Sequence, residues 1–478
     1  MSASAEAGRW YDAAPHPVLS RDAGFAVAVA LLLPLAMYSV GLGGLTRIAY
    51  PLSALAAGWY LWSRKSPWYV GLCVWLFCAS PLIRRLHDYG AGFDVASPIL
   101  LAPYLAMGWA VLSGLGLCIR GGERLATPFA IFVLCVLYGF VIAVLDGRLV
   151  SGAVDLLKWT AGPFMALYLI TVAAKQADHH RVVVTSFIAA APAMACYGIL
   201  QFISPLPWDL EWSREMLQMG VEAMGRPEPF ELRVYATMHS PGSLGSYLMV
   251  GLLTLIGAPL PIALPGIVLA VLGLALAQYR TIWAGSMVGL LVLALAGPAR
   301  EKFRLVLGAL LLVTTFGSLV TIPEVQETLS QRVRSITELQ SDASGEDRLS
   351  QYTRFLDEDR NLLVGQGIAS NGFMRQLDKQ KATVIDSGIL ETYAALGLFV
   401  GTILLACLAC ICWRTITLPA ALVPHAYLYR SVVLATAVQI PFGTVYVGES
   451  GFTMWVFIGL ACAAARSLGT TGGNANLS

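Results

Sequence analysis

Apolar runs of roughly twenty residues, almost free of charge, recur along this 478-residue chain. That is the length a helix needs to cross the hydrocarbon core of a bilayer. Inside lipid every backbone N–H and C=O must be bonded internally, which leaves only helices and closed barrels. The runs are continuous and do not alternate, so a β-barrel is excluded. Only 13% of the residues are Asp, Glu, Lys or Arg, against about 25% in soluble domains. The expected fold is an all-α polytopic membrane protein with about 12–14 transmembrane helices and a partly helical outer loop.

The expected organisation follows from the polar stretches. Residues 1–22 form a cytoplasmic N-terminal segment, with no cleavable signal evident, and 468–478 a disordered tail. Between them, 23–467 form a single transmembrane domain with two large polar connections at 204–239 and 323–385. Lys and Arg collect in alternate short loops: Arg64 and Lys65, Arg120 and Arg124, Lys175 and Arg181, then Arg300, Lys302 and Arg304. The basic side is cytoplasmic, so both large connections face outward. Arg84 and Arg85 run against this pattern, in what reads as an outer loop. The nine cysteines mostly lie within apolar runs, so they read as small buried hydrophobes. Cys407, Cys410 and Cys412 share a span with no histidine nearby, and no metal site is expected. A net charge of +2 implies no nucleic-acid partner.

Chemistry concentrates between Glu231 and Leu290. Arg233 stands in ELRVYATMHSPGSLGSYL before one span, and Arg280 in AQYRTIWAGSMVGL between two later ones. If the spans between them form a hairpin, both arginines emerge at the same membrane face. Two readings are open. Guanidinium is shaped for bidentate phosphate binding, so the pair suits a phosphorylated, lipid-borne substrate. Interfacial arginines also snorkel to headgroups without further function.

The first outer connection carries Trp208 and Trp212, suited to an interfacial helix or a sugar-stacking platform, the first being the commoner use. In the second, Val325, Leu329, Val333, Ile336 and Leu339 recur at helical spacing, with Arg332 and Arg334 on a solvated face. Asp155 and Lys158, three apart, suit an ion pair on one helix face. Asp386 opens the span IDSGILETYAALGLFVG, where a helix N-cap explains it as well as a functional carboxylate does. Glu391 lies slightly deeper.

Three separated segments together resemble the O-antigen polymerase and O-antigen ligase superfamily of GT-C-type membrane glycosyltransferases. They are RVYATMHSPGSLGSYL, AQYRTIWAGSMVGLLVLAL, and the series DASGEDRLSQY, LVGQGIASNGF and VIDSGILETYAALGLFVG. The resemblance covers roughly 180–445. It implies a bacterial inner-membrane enzyme with a periplasmic site and no cofactor. Its donor would be an oligosaccharide on undecaprenyl pyrophosphate, its acceptor a glycan, and its partners membrane lipids, a flippase and a chain-length regulator. By the same resemblance Arg233 and Arg280 hold the pyrophosphate, and Arg348, in the pattern begun by Ser344, orders the loop or assists binding. Asp386 would take the proton of the acceptor hydroxyl, with Glu391 beside it. The ligase branch has histidine where this chain has Asp386, which favours a polymerase of exopolysaccharide or O-antigen repeats. A ligase transferring glycan to lipid A core stands as the alternative, and a transporter or lipid flippase as the non-enzyme reading.

Overall fold

The structure is a computed structural model, and it describes residues 20–119, 125–319, 362–369, 385–420 and 422–473. Among the described residues there are fifteen α-helices and no strand. In chain order they are α1 (Arg21–Ser39), α2 (Thr46–Ser63), α3 (Trp68–Ala91), α4 (Ala102–Ile119), α5 (Thr127–Leu145) and α6 (Leu149–Thr171). Next come α7 (Gln176–Ile203), α8 (Pro207–Gln218), α9 (Pro241–Leu255), α10 (Leu260–Ala277), α11 (Arg280–Ala296) and α12 (Ala299–Leu319). The last three are α13 (Gly388–Ile416), α14 (Ala426–Ala437) and α15 (Gly448–Gly473). Nine helical segments among the described residues are long and apolar enough to cross a bilayer, and α9 and α11 are shorter apolar helices. The chain is an all-α, multi-pass membrane protein.

Small residues let the bundle close. A Cβ on Gly162 of α6 would sit 2.3 Å from the Trp455 ring of α15, and one on Gly459 would sit 2.7 Å from Cα of Ala166. With apolar lipid outside, helices associate through such close packing and not through the hydrophobic effect. Trp455 is fully buried there, edge-on to Phe132, and its Nε1 donates to Tyr446 O at 2.8 Å.

The short basic loops cluster at one end of the bundle. At one end Lys175 Nζ donates to Lys65 O, Arg466 to Ile170 O at the close of α6, and Arg304 to Ile256 O just after α9. The opposite end gathers the C-termini of α3, α5, α7 and α10 with the starts of α6, α9, α11, α13 and α15.

Arg84 and Arg85 correct the expectation that they lie in a loop. The apolar run ends near residue 83, yet α3 continues to Ala91 and buries both side chains. Ion pairing makes this possible: Arg85 Nη1 meets Asp209 Oδ1 at 2.7 Å, and Arg84 Nε meets Asp88 Oδ2 at 3.2 Å. A paired buried charge escapes most of the cost of an isolated one.

The connection at 204–239 is likewise folded. Trp212, Met216, Met224, Leu232 and Tyr235 form a small core of their own, with Phe93 against it. Trp212 is buried beneath the Arg84 guanidinium, 4.6 Å from the ring centroid. Trp208 Nε1 donates to Tyr197 Oη at 2.9 Å. Trp212 is thus a packing residue and offers no platform for a sugar. The proposed helix from Val325 to Leu339, with Arg332 and Arg334, lies outside the described residues.

Candidate active site

The segment carrying Arg233 is pinned from several sides. Arg233 N–H donates to Met224 O at 2.8 Å, and Val234 N–H to Leu276 O at 3.2 Å. Gln201 Oε1 accepts from the N–H groups of Tyr235 and Ala236, and Arg85 donates to Ala236 O. Leu276 lies in the last turn of α10, four residues before Arg280, so the α9–α10 hairpin does bring the two arginines to one end of the molecule. Tyr279 packs over Gly242 at the start of α9. Both arginine side chains are exposed. Arg348 lies outside the described residues.

Asp386 is exposed, two residues ahead of α13. It is not the helix cap. Ser387 holds that position, its side chain accepting the Leu390 N–H. A hydroxyl and a carboxylate compete for one N-cap site, and the chain's register gives it to the serine. Glu391, one turn into α13, accepts a hydrogen bond from Thr444 Oγ1, and Asp155, Lys158 and Asp386 are its charged neighbours. Asp155 and Lys158 form the expected pair at 3.3 Å.

A break in α13 shapes the floor beside these acids. Gly397 has φ 73° and ψ 173°, which splits the helix. The stretch Leu362–Ala369 docks into the gap: Gln366 and Gly367 N–H donate to Ala394 and Ala395 O, and Leu398 N–H donates to Leu362 O at 2.7 Å. Arg148 fastens the same stretch by donating to Gln366 O and Ile368 O. The backbone groups freed by the broken helix are thereby satisfied.

A second acid was missed in the sequence. Glu449, in the first turn of α15, lies 3.1 Å from His239 Nε2 and accepts from Ser243 Oγ. Ser240 and Ser243 hydroxyls are 2.7 Å apart, and Ser246 Oγ bonds Ser450 Oγ at 3.1 Å. The His239 side chain keeps 35% of its surface exposed, yet the protein packed around the imidazole holds it below the usual histidine range. Glu449 opposes that shift, while Arg84, Lys158 and Arg85 add to it. Burial pushes the Asp209 carboxyl up, against the pull of Arg85. Glu449 opens its span as Asp386 opens another, so an acid at the start of an apolar run was the available signal.

Among curated proteins none matches this chain. A family model described as O-antigen ligase matches residues 265–406. That window holds Arg280, Asp386, Glu391 and the docked 362–369 stretch; Arg233, His239 and Glu449 lie outside it. Over this segment the chain is similar to the O-antigen ligase family, which supports the resemblance to the O-antigen ligase and polymerase superfamily read from its sequence.

Proposed function

We propose that the protein is an inner-membrane glycan polymerase. It joins oligosaccharide repeat units carried on undecaprenyl pyrophosphate into O-antigen or exopolysaccharide at the periplasmic face. The observation that carries this reading is the gathering of Arg233, Arg280, Asp386 and Glu391 at one end of a bundle matching the O-antigen ligase family.

The chemistry is a single displacement. An acceptor hydroxyl attacks the anomeric carbon of the donor glycan and loses its proton to the Asp386 carboxylate. The bond from the anomeric carbon to the pyrophosphate oxygen breaks, and the leaving group departs with the electron pair. Arg233 and Arg280 stabilise that growing negative charge, as fixed cations do at departing oxyanions. One displacement inverts the anomeric configuration. Since two guanidinium groups supply the compensating charge, the reaction is proposed to need no metal.

Asp386 in place of the ligase branch's histidine favours polymerase over ligase. The test is reconstitution in liposomes with undecaprenyl-pyrophosphate-linked repeat units as sole glycan substrate. A ladder of lengthening products is expected. Transfer only when lipid A core is supplied establishes a ligase, and no transfer to either acceptor contradicts the enzyme reading.

A further inference from the structure

Glu449, His239 and Ser243 form a polar cluster that the arginine and Asp386 chemistry does not use. Glu449 is 16% exposed and His239 35%, so the cluster can meet a ligand. Two polar atoms, one within the cluster and one a turn away on α9, make no hydrogen bond. Tyr247, one turn beyond Ser243 on the same face of α9, is 1% exposed, and its hydroxyl makes no hydrogen bond. Its charged and phenolic neighbours include Glu449 and Tyr104. The Tyr104 hydroxyl in turn lies 3.4 Å from where a Cβ on Gly448 would stand. Nδ1 of His239 is also unpartnered.

Buried polar atoms are normally satisfied, and each exception asks for an explanation. A brace between α9 and α15 accounts for the Glu449–Ser243 contact. It does not account for the buried Tyr247 hydroxyl, left unpaired one turn along α9 from Ser243. A carbohydrate does: its hydroxyls both donate and accept, and so can satisfy a carboxylate and a phenol together. We infer that Glu449, His239 and Tyr247 form the subsite that binds the hydroxyls of the acceptor sugar, resting on the glycan-transfer reading above. The seven residues from Arg233 to His239 link this subsite to the donor arginine.

The experiment separates donor from acceptor. The reconstituted protein is given saturating lipid-linked donor and a lipid-free repeat-unit oligosaccharide as acceptor, and both KM values are measured. Glu449→Gln keeps shape and hydrogen-bonding capacity but removes the charge, so acceptor KM should rise about 10- to 100-fold, the worth of one charged hydrogen bond. Tyr247→Phe removes a hydroxyl that bonds to nothing in the fold, so a purely structural role predicts no effect. Its acceptor KM should rise severalfold, with donor KM and melting temperature unchanged. Acceptor KM within twofold of wild type in both variants overturns the subsite while wild-type transfer leaves the polymerase reading standing. A wild-type protein that transfers to no acceptor overturns both.

Discussion

Arg85 on α3 and Asp209 on α8 lie 124 residues apart in the chain, and their side chains meet at 2.7 Å with neither exposed to solvent. The pair is more than a local neutralisation. Arg85 also donates to Ala236 O, three residues past Arg233, and Tyr197 Oη donates to Asp209 Oδ2 at 2.8 Å. The Arg85 guanidinium lies 4.8 Å from the centre of the Tyr235 ring. Removing one partner strands a buried charge, which costs about 3–5 kcal/mol, whereas replacing both with apolar groups is often close to neutral. Arg85→Met should therefore lower the melting temperature in detergent sharply, and Arg85→Met with Asp209→Leu should recover most of it. Equal destabilisation in the single and double variants would show that the pair's charge is not what holds α8.

Gly397 and Gly365 are packed against one another through their backbones. A Cβ on Gly397 would stand 2.3 Å from Leu363 O, and one on Gly365 2.4 Å from Gly397 N. Both residues have positive φ, 73° and 85°. An alanine at either position meets backbone atoms, which cannot rotate away, and adopts a strained conformation costing about 1–3 kcal/mol. Gly397→Ala should loosen the 362–369 stretch from α13, seen as faster amide exchange at Gln366 and Gly367. Unchanged protection at those amides would mean that the helix break does not depend on glycine.

Ser387 and Asp386 divide two roles that one residue might have carried. Ser387→Ala should cost about 0.5–2 kcal/mol of stability, since it removes the cap of α13. Asp386→Asn should leave stability unchanged but slow glycan transfer by about 10²–10⁴-fold, the usual worth of a general base. Donor binding should persist in that variant. Near-wild-type turnover by Asp386→Asn in a purified assay would move the base elsewhere, with Glu391 the nearest candidate.

How much of this was legible beforehand depended on sequence distance. Each apolar run announces a helix because lipid permits little else, and the Asp155–Lys158 pair is visible from i,i+3 spacing alone. The end of α3 was not visible, because the charge that closes the apolar run is cancelled by Asp209 far along the chain. Nor was the Glu449 cluster, whose contact with Ser243 spans 206 residues. Asp386 looked like a cap because aspartate is a good one, and only the observed register assigns that place to Ser387. The break at Gly397 hid within a continuous apolar stretch, where the glycine could as well have served close helix packing.

The central claim is that Arg233 and Arg280 grip pyrophosphate, and lysine substitution tests it most directly. Lysine keeps the positive charge but loses the planar fork that meets two phosphate oxygens at once. Polymer synthesis from undecaprenyl-pyrophosphate-linked repeats should be measured in liposomes for Arg280→Lys, Arg280→Ala and the matching pair at Arg233, at equal protein levels. Each lysine variant should fail nearly as severely as its alanine counterpart. Full polymer synthesis by both lysine variants would contradict it and leave the two arginines as interfacial residues reaching for lipid headgroups.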